Sequence, residues 1–470
     1  MSDPRVLESP EEVLSTLHAD GRRRWLYPVP SHGKFWKARF VVAWALIAFF
    51  VGLPLVKIGG KPAIFLDIMH REFTFFGLTL YATDTLLYMF AMIIGVFSVI
   101  VVTAVFGRVW CGWGCPQTVY LEFVFRPIER LIEGKENQRR RRDEAGSSFD
   151  KLWRKTLKFI IYSILSVGLA HTFVAYFVSW DSLIEWMTGP PAEHWGFFVM
   201  MAITSALILF DFGYFREQMC TIACPYARIQ SVLQDEDSMI VSYDPNRGEP
   251  RGKRSKAQYT QEREGVKLNL GDCINCFACV RTCPTGIDIR DGLQMECVGC
   301  TQCMDACDAI MISIAKPVGL IRYTSENALE NKPSKILRPR TMLYAVVFVL
   351  LSSAFFWLLT HREPIDLNVT RAATDPYVMV GDKVMNQLKF RVQNRTGQDG
   401  EFRFIIPEPP GVEIKLQGLT SLQIEDGKTE RIGAFILVPK EAFQKGSVKT
   451  RIQVTNGQEV AEFPYTLIGP

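Results

Sequence analysis

The sequence predicts a multi-domain membrane protein: an α-helical bundle of about five transmembrane spans, a cytoplasmic two-cluster ferredoxin-like (α+β) insert and a C-terminal all-β immunoglobulin-like sandwich. Three observations lead to this prediction. Five long apolar runs are spread along the 470 residues, all twelve cysteines lie within residues 111–307, and residues 361–470 alternate apolar and polar side chains.

The five apolar runs each approach the roughly 20 residues needed to cross a hydrocarbon core of about 30 Å. They cover residues 39–56, 86–107, 157–179, 194–213 and 341–360. One such run could be a buried core element of a soluble domain, but five runs with charged flanks indicate transmembrane helices. The first run lacks a small-residue cleavage site, which favours an anchor over a signal peptide.

Basic residues predict how these spans are oriented. The connection 108–156 contains the run NQRRRRDE and eleven Lys or Arg in all, whereas the connection 180–193 contains none. The segment before the first span is also basic. Its charges are Arg22, Arg23, Arg24, Lys34, Lys37 and Arg39. The positive-inside rule therefore places the N-terminus, 108–156 and 214–340 in the cytoplasm, and 57–85, 180–193 and 361–470 outside it.

This topology divides the chain into five predicted parts. They are a cytoplasmic N-terminal segment (1–38), a four-span membrane domain (39–233), a linker with the cytoplasmic ferredoxin domain (234–340), a fifth transmembrane helix (341–360) and an exported immunoglobulin-like domain (361–470). All twelve cysteines then lie on the reducing side of the membrane, where metal or redox chemistry is favoured over structural disulfides.

Eight of the cysteines form a doubled ferredoxin motif. The runs CINCFACVRTCP and CVGCTQCMDACD each read Cys-x2-Cys-x2-Cys-x3-Cys, the pattern of bacterial two-cluster ferredoxins. In that pattern the fourth cysteine of each run serves the other cluster. The predicted ligands of two 4Fe–4S clusters are Cys273, Cys276, Cys279 and Cys307 for the first, and Cys297, Cys300, Cys303 and Cys283 for the second. A zinc site would instead use cysteine pairs separated by a longer loop.

The other four cysteines form two Cys-x3-Cys-Pro pairs, each directly after a predicted hairpin of spans. The first pair is Cys111 and Cys115 in VWCGWGCPQTVY, and the second is Cys220 and Cys224 in QMCTIACPYARI. Thiols four residues apart on a helix share one face, where they could bind a soft ion such as Cu(I) or form a disulfide. Packing of small hydrophobic side chains is the alternative. Repetition of the pair predicts that the four thiols converge on one site.

The remaining segments give weaker signals. Residues 361–470 contain short alternating runs with turn signals at Gly397, Asp426-Gly427 and Asn456-Gly457, which predicts a β-sandwich. This tail shows no nucleophile–base pair or ligand cluster, so we interpret it as an interaction or dimerisation module. The basic runs 139–142 and 251–256 indicate topology or contact with anionic lipid, not nucleic acid.

The order of these parts resembles the CcoG/RdxA/FixG family. The resemblance rests on spans followed by CGWGCP, further spans followed by CTIACP, the doubled ferredoxin motif with CPTGIDIRDGLQ, a final span and a sandwich tail. It implies a multi-pass protein of the bacterial inner membrane with a periplasmic C-terminal domain. It also implies reduction of Cu(II) to Cu(I) during assembly of cbb-type cytochrome c oxidase, with Cys111, Cys115, Cys220 and Cys224 at the copper site.

The partners implied by this resemblance are copper ions, copper chaperones or a copper transporter, and subunits of the oxidase; the electron donor is not indicated. Two other functions remain open at this stage. The NapH and NosR membrane ferredoxins have the same Cys-x3-Cys-Pro pairs, so the chain could be a quinol-linked electron relay. It could also be a non-enzymatic copper carrier or assembly scaffold whose clusters are structural.

Overall fold

A computed structural model describes residues 15–17, 22–69, 71–81, 83–255, 257–258, 269–372, 375–417 and 421–470. The chain separates into two compact units, Met1–Ser352 and Ser353–Pro470. The first unit carries both cysteine motifs, and the second contains the all-β domain.

Five helices in the described residues are long and apolar enough to cross a membrane, as predicted. They are Lys34–Leu55, Thr85–Phe106, Phe149–Val178, Trp195–Phe215 and Pro339–Thr360. Between 0% and 33% of each apolar window is buried within the protein. Large apolar side chains on the outer surfaces are therefore free to contact lipid, which explains an exposure that would be unfavourable in water.

Short elements connect the spans. Between the second and third spans lie the helices Val109–Trp113, Pro116–Tyr120, Leu121–Phe125, Arg126–Glu133 and Glu136–Glu144. After the fourth span lie Met219–Ala223 and Pro225–Leu233. Trp180–Thr188 lies between the third and fourth spans. The strands between the first two spans are Lys57–Ile58, Lys61–Pro62, Ile64–Asp67, Glu72–Phe75 and Leu78–Leu80. Leu121–Phe125 and Met219–Ala223 are π-helical, a geometry that is rare and often occurs at functional sites.

The ferredoxin-like part is built on an antiparallel pair of strands, Ile240–Tyr243 and Ile321–Thr324. The helices between and after them are Pro245–Gly248, Ala278–Thr282, Ile289–Asp291, Gln302–Ser313 and Glu326–Leu329. Buried Val241, Met311 and Ile321 form the centre of its core together with several of the cysteines. The two strands bring the ends of the cysteine-rich segment together and leave both motifs on one side of the pair.

The ferredoxin-like part packs directly against the first span. The carboxylate of Asp305 accepts hydrogen bonds from the backbone N–H groups of Phe35 (3.1 Å) and Trp36 (2.7 Å) and so caps that helix. The segment before the span also covers the ferredoxin core, since Thr282 Oγ1 donates to the carbonyl of Val29 at 2.7 Å. The ferredoxin-like domain, which the sequence predicts as a separate insert, is therefore packed tightly against the first span.

The second unit is an antiparallel β-sandwich. One sheet contains Glu413–Leu416, Thr429–Pro439, Lys383–Asn394, Ile365–Arg371 and Val378–Val380; the other contains Leu422–Ile424, Gly400–Ile405, Ser447–Thr455 and Val460–Ile468. Residues from both sheets form one core, including fully buried Phe390, Phe402 and Ile452. The rings of Phe390 and Phe404 stack across it with centroids 4.9 Å apart. Buried and exposed side chains alternate along these strands, as the alternation of apolar and polar residues in the sequence predicts.

The predicted topology has a direct test. In a strain expressing the full chain, Lys449→Cys should react with a membrane-impermeant maleimide in intact spheroplasts, whereas Ala145→Cys should react only after lysis, because positive charge retains the 108–156 connection in the cytoplasm. Both positions are exposed in the structure. The parent chain measures labelling of the native thiols. The reverse labelling pattern would contradict the assigned orientation.

Candidate functional site

The eight cysteines of the doubled motif surround two cavities. Cys273, Cys276, Cys279 and Cys307 line the first. Cys283, Cys297, Cys300 and Cys303 line the second, where Cys279 also forms part of the wall. The last cysteine of each motif thus lies beside the first three of the other motif. This is the crossed arrangement that the spacing predicts.

The backbone of the two cysteine loops is repeated. The residue two positions after each loop's first cysteine has positive φ, at Asn275 (57°) and Gly299 (65°). The residue after each second cysteine does as well, at Phe277 (55°) and Thr301 (59°). Left-handed backbone is uncommon for residues other than glycine, and here it recurs at equivalent places. It bends both loops around their cavities and is typical of backbone shaped for a ligand.

The donor chemistry of both cavities fits 4Fe–4S clusters. Burial, together with the neighbouring thiols of Cys276 and Cys273, raises the pKa of Cys307 to about 12. Burial likewise raises the pKa of Cys300 to about 12, although the nearby Arg39 guanidinium opposes this. Closely grouped buried thiols of this kind become thiolates when a metal centre replaces their protons. Four cysteines are the ligand set of a cubane cluster.

The spacing of these thiols also fits a cluster better than a single ion. Among the described residues, no three Cys, His, Asp or Glu side chains lie close enough together to share one metal ion. A tetrahedral zinc site needs all its ligands within about 2.0–2.3 Å of one centre. A cubane places each thiolate on a different iron, so its ligands stand further apart around a larger cavity.

The structure corrects the predicted geometry of the Cys-x3-Cys-Pro pairs. Cys111 lies in the helix Val109–Trp113, but Cys115 has extended backbone (φ −65°, ψ 126°) at the start of the next helix, Pro116–Tyr120. Cys220 and Cys224 are likewise separated, with Cys224 extended (φ −70°, ψ 112°) before the helix Pro225–Leu233. The prediction that each pair occupies one helix face is therefore wrong. Each proline begins a new helix, and the residue before it is pushed out of helical conformation.

The four thiols nevertheless lie together. Burial raises the pKa of Cys220 above its ordinary value, and the thiols of Cys115, Cys111 and Cys224 add to this effect. Burial also raises the pKa of Cys111 to about 12, with a further contribution from Cys115. Cys111 donates a hydrogen bond to Oε1 of the fully buried Gln230 at 3.3 Å. The two pairs are thus close enough to influence one another electrostatically, although no three of these thiols are grouped tightly enough in the described structure to share one metal ion.

The Cys115 thiol has a distinctive setting within this group. Burial raises its pKa, but the backbone N–H groups of Gln117 and Thr118 face the sulfur and oppose the shift. These groups belong to the first turn of the helix that Pro116 begins. N–H groups at a helix start favour a thiolate over a thiol. At Cys115 these N–H groups therefore offset part of the effect of burial.

The first thiol pair touches the loop of the second cavity. A Cβ atom built on Gly112 would lie 2.3 Å from the carbonyl oxygen of Gly299, so the two backbones meet where no side chain fits. Arg39 bridges the same two loops: its Nε–H donates to the carbonyl of Gly112 and its Nη1–H to the carbonyl of Cys300, both at 2.8 Å. This role of Arg39 was not predicted from the sequence, where Arg39 counts only among the charges that set topology.

A third cavity lies between the second thiol pair and the second cluster loop. Its walls include Cys220, Arg39, Glu122, Arg126, Glu217, Pro284, Val298 and Gln302. Three of its charged side chains are paired: Arg126 contacts Glu122 at 2.8 Å and Glu217 at 3.4 Å, and all three are at most 5% exposed. Buried pairs of this kind keep their geometry because breaking one leaves an uncompensated charge. The network therefore ties the helices that carry Glu122 and Arg126 to the segment of Glu217 just before Cys220.

Comparisons with known proteins agree with this architecture. Protein-family models match residues 215–326 as a 4Fe-4S dicluster domain, residues 88–135 as a 4Fe-4S binding domain and residues 355–470 as an IG-like fold at the C-terminal of FixG. Apolar helices, paired cysteine cavities and these matches define an iron–sulfur electron-transfer protein of the membrane-bound ferredoxin class.

The relatives are similar along most of their length. Protein RdxA of Cereibacter sphaeroides is 32% identical over 414 residues, covering 85% of this chain and 86% of the relative. Nitrogen fixation protein FixG of Rhizobium meliloti is 28% identical, covering 90% and 88%. Protein RdxB of Cereibacter sphaeroides is 31% identical, covering 88% and 87%. The chain belongs to the CcoG/RdxA/FixG family.

These findings confirm the predicted family, the ferredoxin-like domain with iron–sulfur clusters and the immunoglobulin-like tail. Four points stay predictions. They are the ligands assigned to each cluster, the role of the four paired cysteines, the sidedness of the domains and the copper chemistry. The match over residues 88–135 adds a point that the sequence analysis did not consider, because a segment containing only Cys111 and Cys115 matches a 4Fe-4S binding model.

Proposed function

We propose that this protein reduces Cu(II) to Cu(I) with electrons from its iron–sulfur clusters and thereby supplies copper for assembly of a cbb-type cytochrome c oxidase. The observation that carries the proposal is the placement of the thiol pairs. The four thiols of the two pairs influence one another electrostatically, and Gly112 within the first pair touches the loop of Cys297 and Cys300. An electron source and a Cu(I)-type ligand set are therefore neighbours.

Copper chemistry explains why this neighbourhood suits reduction. Cu(II) favours nitrogen and oxygen donors, whereas thiolates favour Cu(I), so binding at the pairs stabilises the reduced product. The clusters, when bound, supply single electrons at low potential. One electron converts one Cu(II) to one Cu(I), and thiols that bind copper release their protons.

The remaining assignments complete the proposal. The first cluster binds Cys273, Cys276, Cys279 and Cys307, and the second binds Cys283, Cys297, Cys300 and Cys303. Copper chaperones or a copper transporter and the oxidase subunits are the partners, and the periplasmic sandwich serves interaction or dimerisation. The protein lies in the bacterial inner membrane with the ferredoxin domain in the cytoplasm.

One observation favours a second candidate function. The family model that matches residues 88–135 is described as 4Fe-4S binding, and four converging cysteines are also the ligand set of a cubane. In that case the pairs would hold a third cluster, and the protein would be an electron relay of the NapH or NosR kind that is indifferent to copper.

Anaerobic analysis of the purified full chain distinguishes these functions. Copper reduction predicts about eight irons per chain, whereas a third cluster predicts about twelve. Protein reduced with dithionite, desalted and mixed with Cu(II) should then lose its reduced-cluster absorption at the rate at which a Cu(I)-specific chelator reports Cu(I). Protein with oxidised clusters controls for reduction by thiols alone. Reduced clusters that persist in the presence of Cu(II) would refute the proposed reductase and leave a carrier or a relay.

A further inference from the structure

Arg39 is a buried cation between the second cluster loop and the first thiol pair. Its side chain is 1% exposed, and its guanidinium lies 5.4 Å from the centre of the Phe123 ring. Two of its N–H groups are fixed by the carbonyls of Gly112 and Cys300. Its third nitrogen, Nη2, has no hydrogen-bond partner in the described part of the structure.

The charge of Arg39 is not neutralised locally. No carboxylate among the described residues forms an ion pair with it, and its fixed contacts are neutral carbonyls. Glu122, whose pKa Arg39 helps to lower, already pairs with Arg126 at 2.8 Å and with Arg130 at 3.5 Å. In a buried, water-poor site, an uncompensated unit charge acts strongly on nearby redox centres.

The first cluster has a different electrostatic environment. Its neighbouring arginine, Arg290, is paired with Asp288, whose Oδ1 accepts from Nε at 2.8 Å and whose Oδ2 accepts from Nη2 at 2.5 Å. Arg290 beside the first cluster therefore has a carboxylate partner, whereas Arg39 beside the second has none among the described residues.

We propose that Arg39 raises the reduction potential of the second cluster above that of the first and so directs electrons toward the thiol pairs. A cluster gains negative charge when it is reduced, so a nearby fixed cation stabilises its reduced form. Electrons entering at the first cluster then pass to the second, whose loop touches Gly112. The inference rests on the part of the proposed function in which the pairs receive electrons, and it does not require the acceptor to be copper.

Potentiometric titrations of the full chain, monitored by EPR without added copper, test this inference. At a fixed solution potential, Arg39→Gln should lower the ratio of reduced to oxidised second cluster about tenfold, which is a 59 mV lower reduction potential for a one-electron couple. The potential of the first cluster should not change. Arg39→Lys should remain near the parent value because it keeps the charge. Lys37→Gln is the control: it removes an exposed charge from the same helix, where water screens it.

The outcomes separate this inference from the proposed function. An unchanged second-cluster potential in iron-replete Arg39→Gln, or equal shifts in both clusters, would overturn the role of Arg39 whatever the acceptor is. A shift confined to the second cluster supports it even if Cu(II) fails to oxidise the protein. If the glutamine variant loses iron, Arg39→Lys decides: a parent potential supports the charge effect, and a tenfold shift refutes it.

Discussion

Replacing all four cysteines of the Cys-x3-Cys-Pro pairs with serine is expected to abolish copper handling and spare the ferredoxin clusters. The variant carries Cys111→Ser, Cys115→Ser, Cys220→Ser and Cys224→Ser. Serine has nearly the same volume as cysteine but is a hard, weak donor for Cu(I), so Cu(I) affinity should fall by about 100-fold or more. Oxidation of the reduced clusters by Cu(II) should slow in parallel, as measured by stopped-flow absorption.

Iron content is the internal control in this experiment. The eight ferredoxin cysteines line separate cavities, so the variant should keep about eight irons per chain and the reduced-cluster spectrum of the parent. A third cluster at the pairs would instead appear as a loss of about four irons from about twelve. If the variant kept the Cu(I) affinity and the oxidation rate of the parent, the cysteines of the pairs would have only a packing role.

Two double variants show whether the pairs form one site. Because the thiols of Cys111, Cys115 and Cys220 influence one another, the structure favours a shared donor group. Changing either pair alone should then remove most of the affinity. If each pair were an independent site, each double variant would instead keep high affinity at half the copper stoichiometry.

The parts of the molecule that could be predicted from sequence are those encoded by local spacing. Bacterial ferredoxin motifs place three of a cubane's four thiolates on one short loop, so the runs from Cys273 and from Cys297 indicate clusters without knowledge of the fold. Span lengths follow from bilayer thickness in the same local way. The contacts of Arg39 could not be predicted, because they join residues 73 and 261 positions away along the chain. Only tertiary packing brings them together.

The error over the thiol pairs has a physical cause that was visible in the sequence. Proline at 116 disfavours helical backbone at Cys115, and proline at 225 does the same at Cys224. Each second cysteine therefore turns out of its helix. Convergence of the pairs, by contrast, follows from their repetition at equivalent positions after two helical hairpins, and this part of the prediction did not depend on helical geometry.

Removing one ligand from each cluster separately should identify the cluster that delivers electrons. Cys276→Ser affects the first cluster and Cys303→Ser the second, and each is expected to lower the iron content from about eight to about four per chain. Iron analysis and EPR of anaerobically purified protein measure this loss. An unchanged iron content in either variant would contradict the corresponding ligand assignment.

The two variants should then differ in reactivity, although they contain equal iron. In Cys276→Ser the remaining cluster lies at the loop that touches Gly112, so its oxidation by Cu(II) should stay close to the parent rate. In Cys303→Ser the remaining cluster occupies the cavity of Cys273 and Cys307, away from that contact. Its oxidation should fall to the rate of the quadruple serine variant, because the second cluster is the only bridge between that cavity and the pairs in the proposed path. Equal rates in the two single variants would mean that electrons reach copper without passing the Arg39 contact.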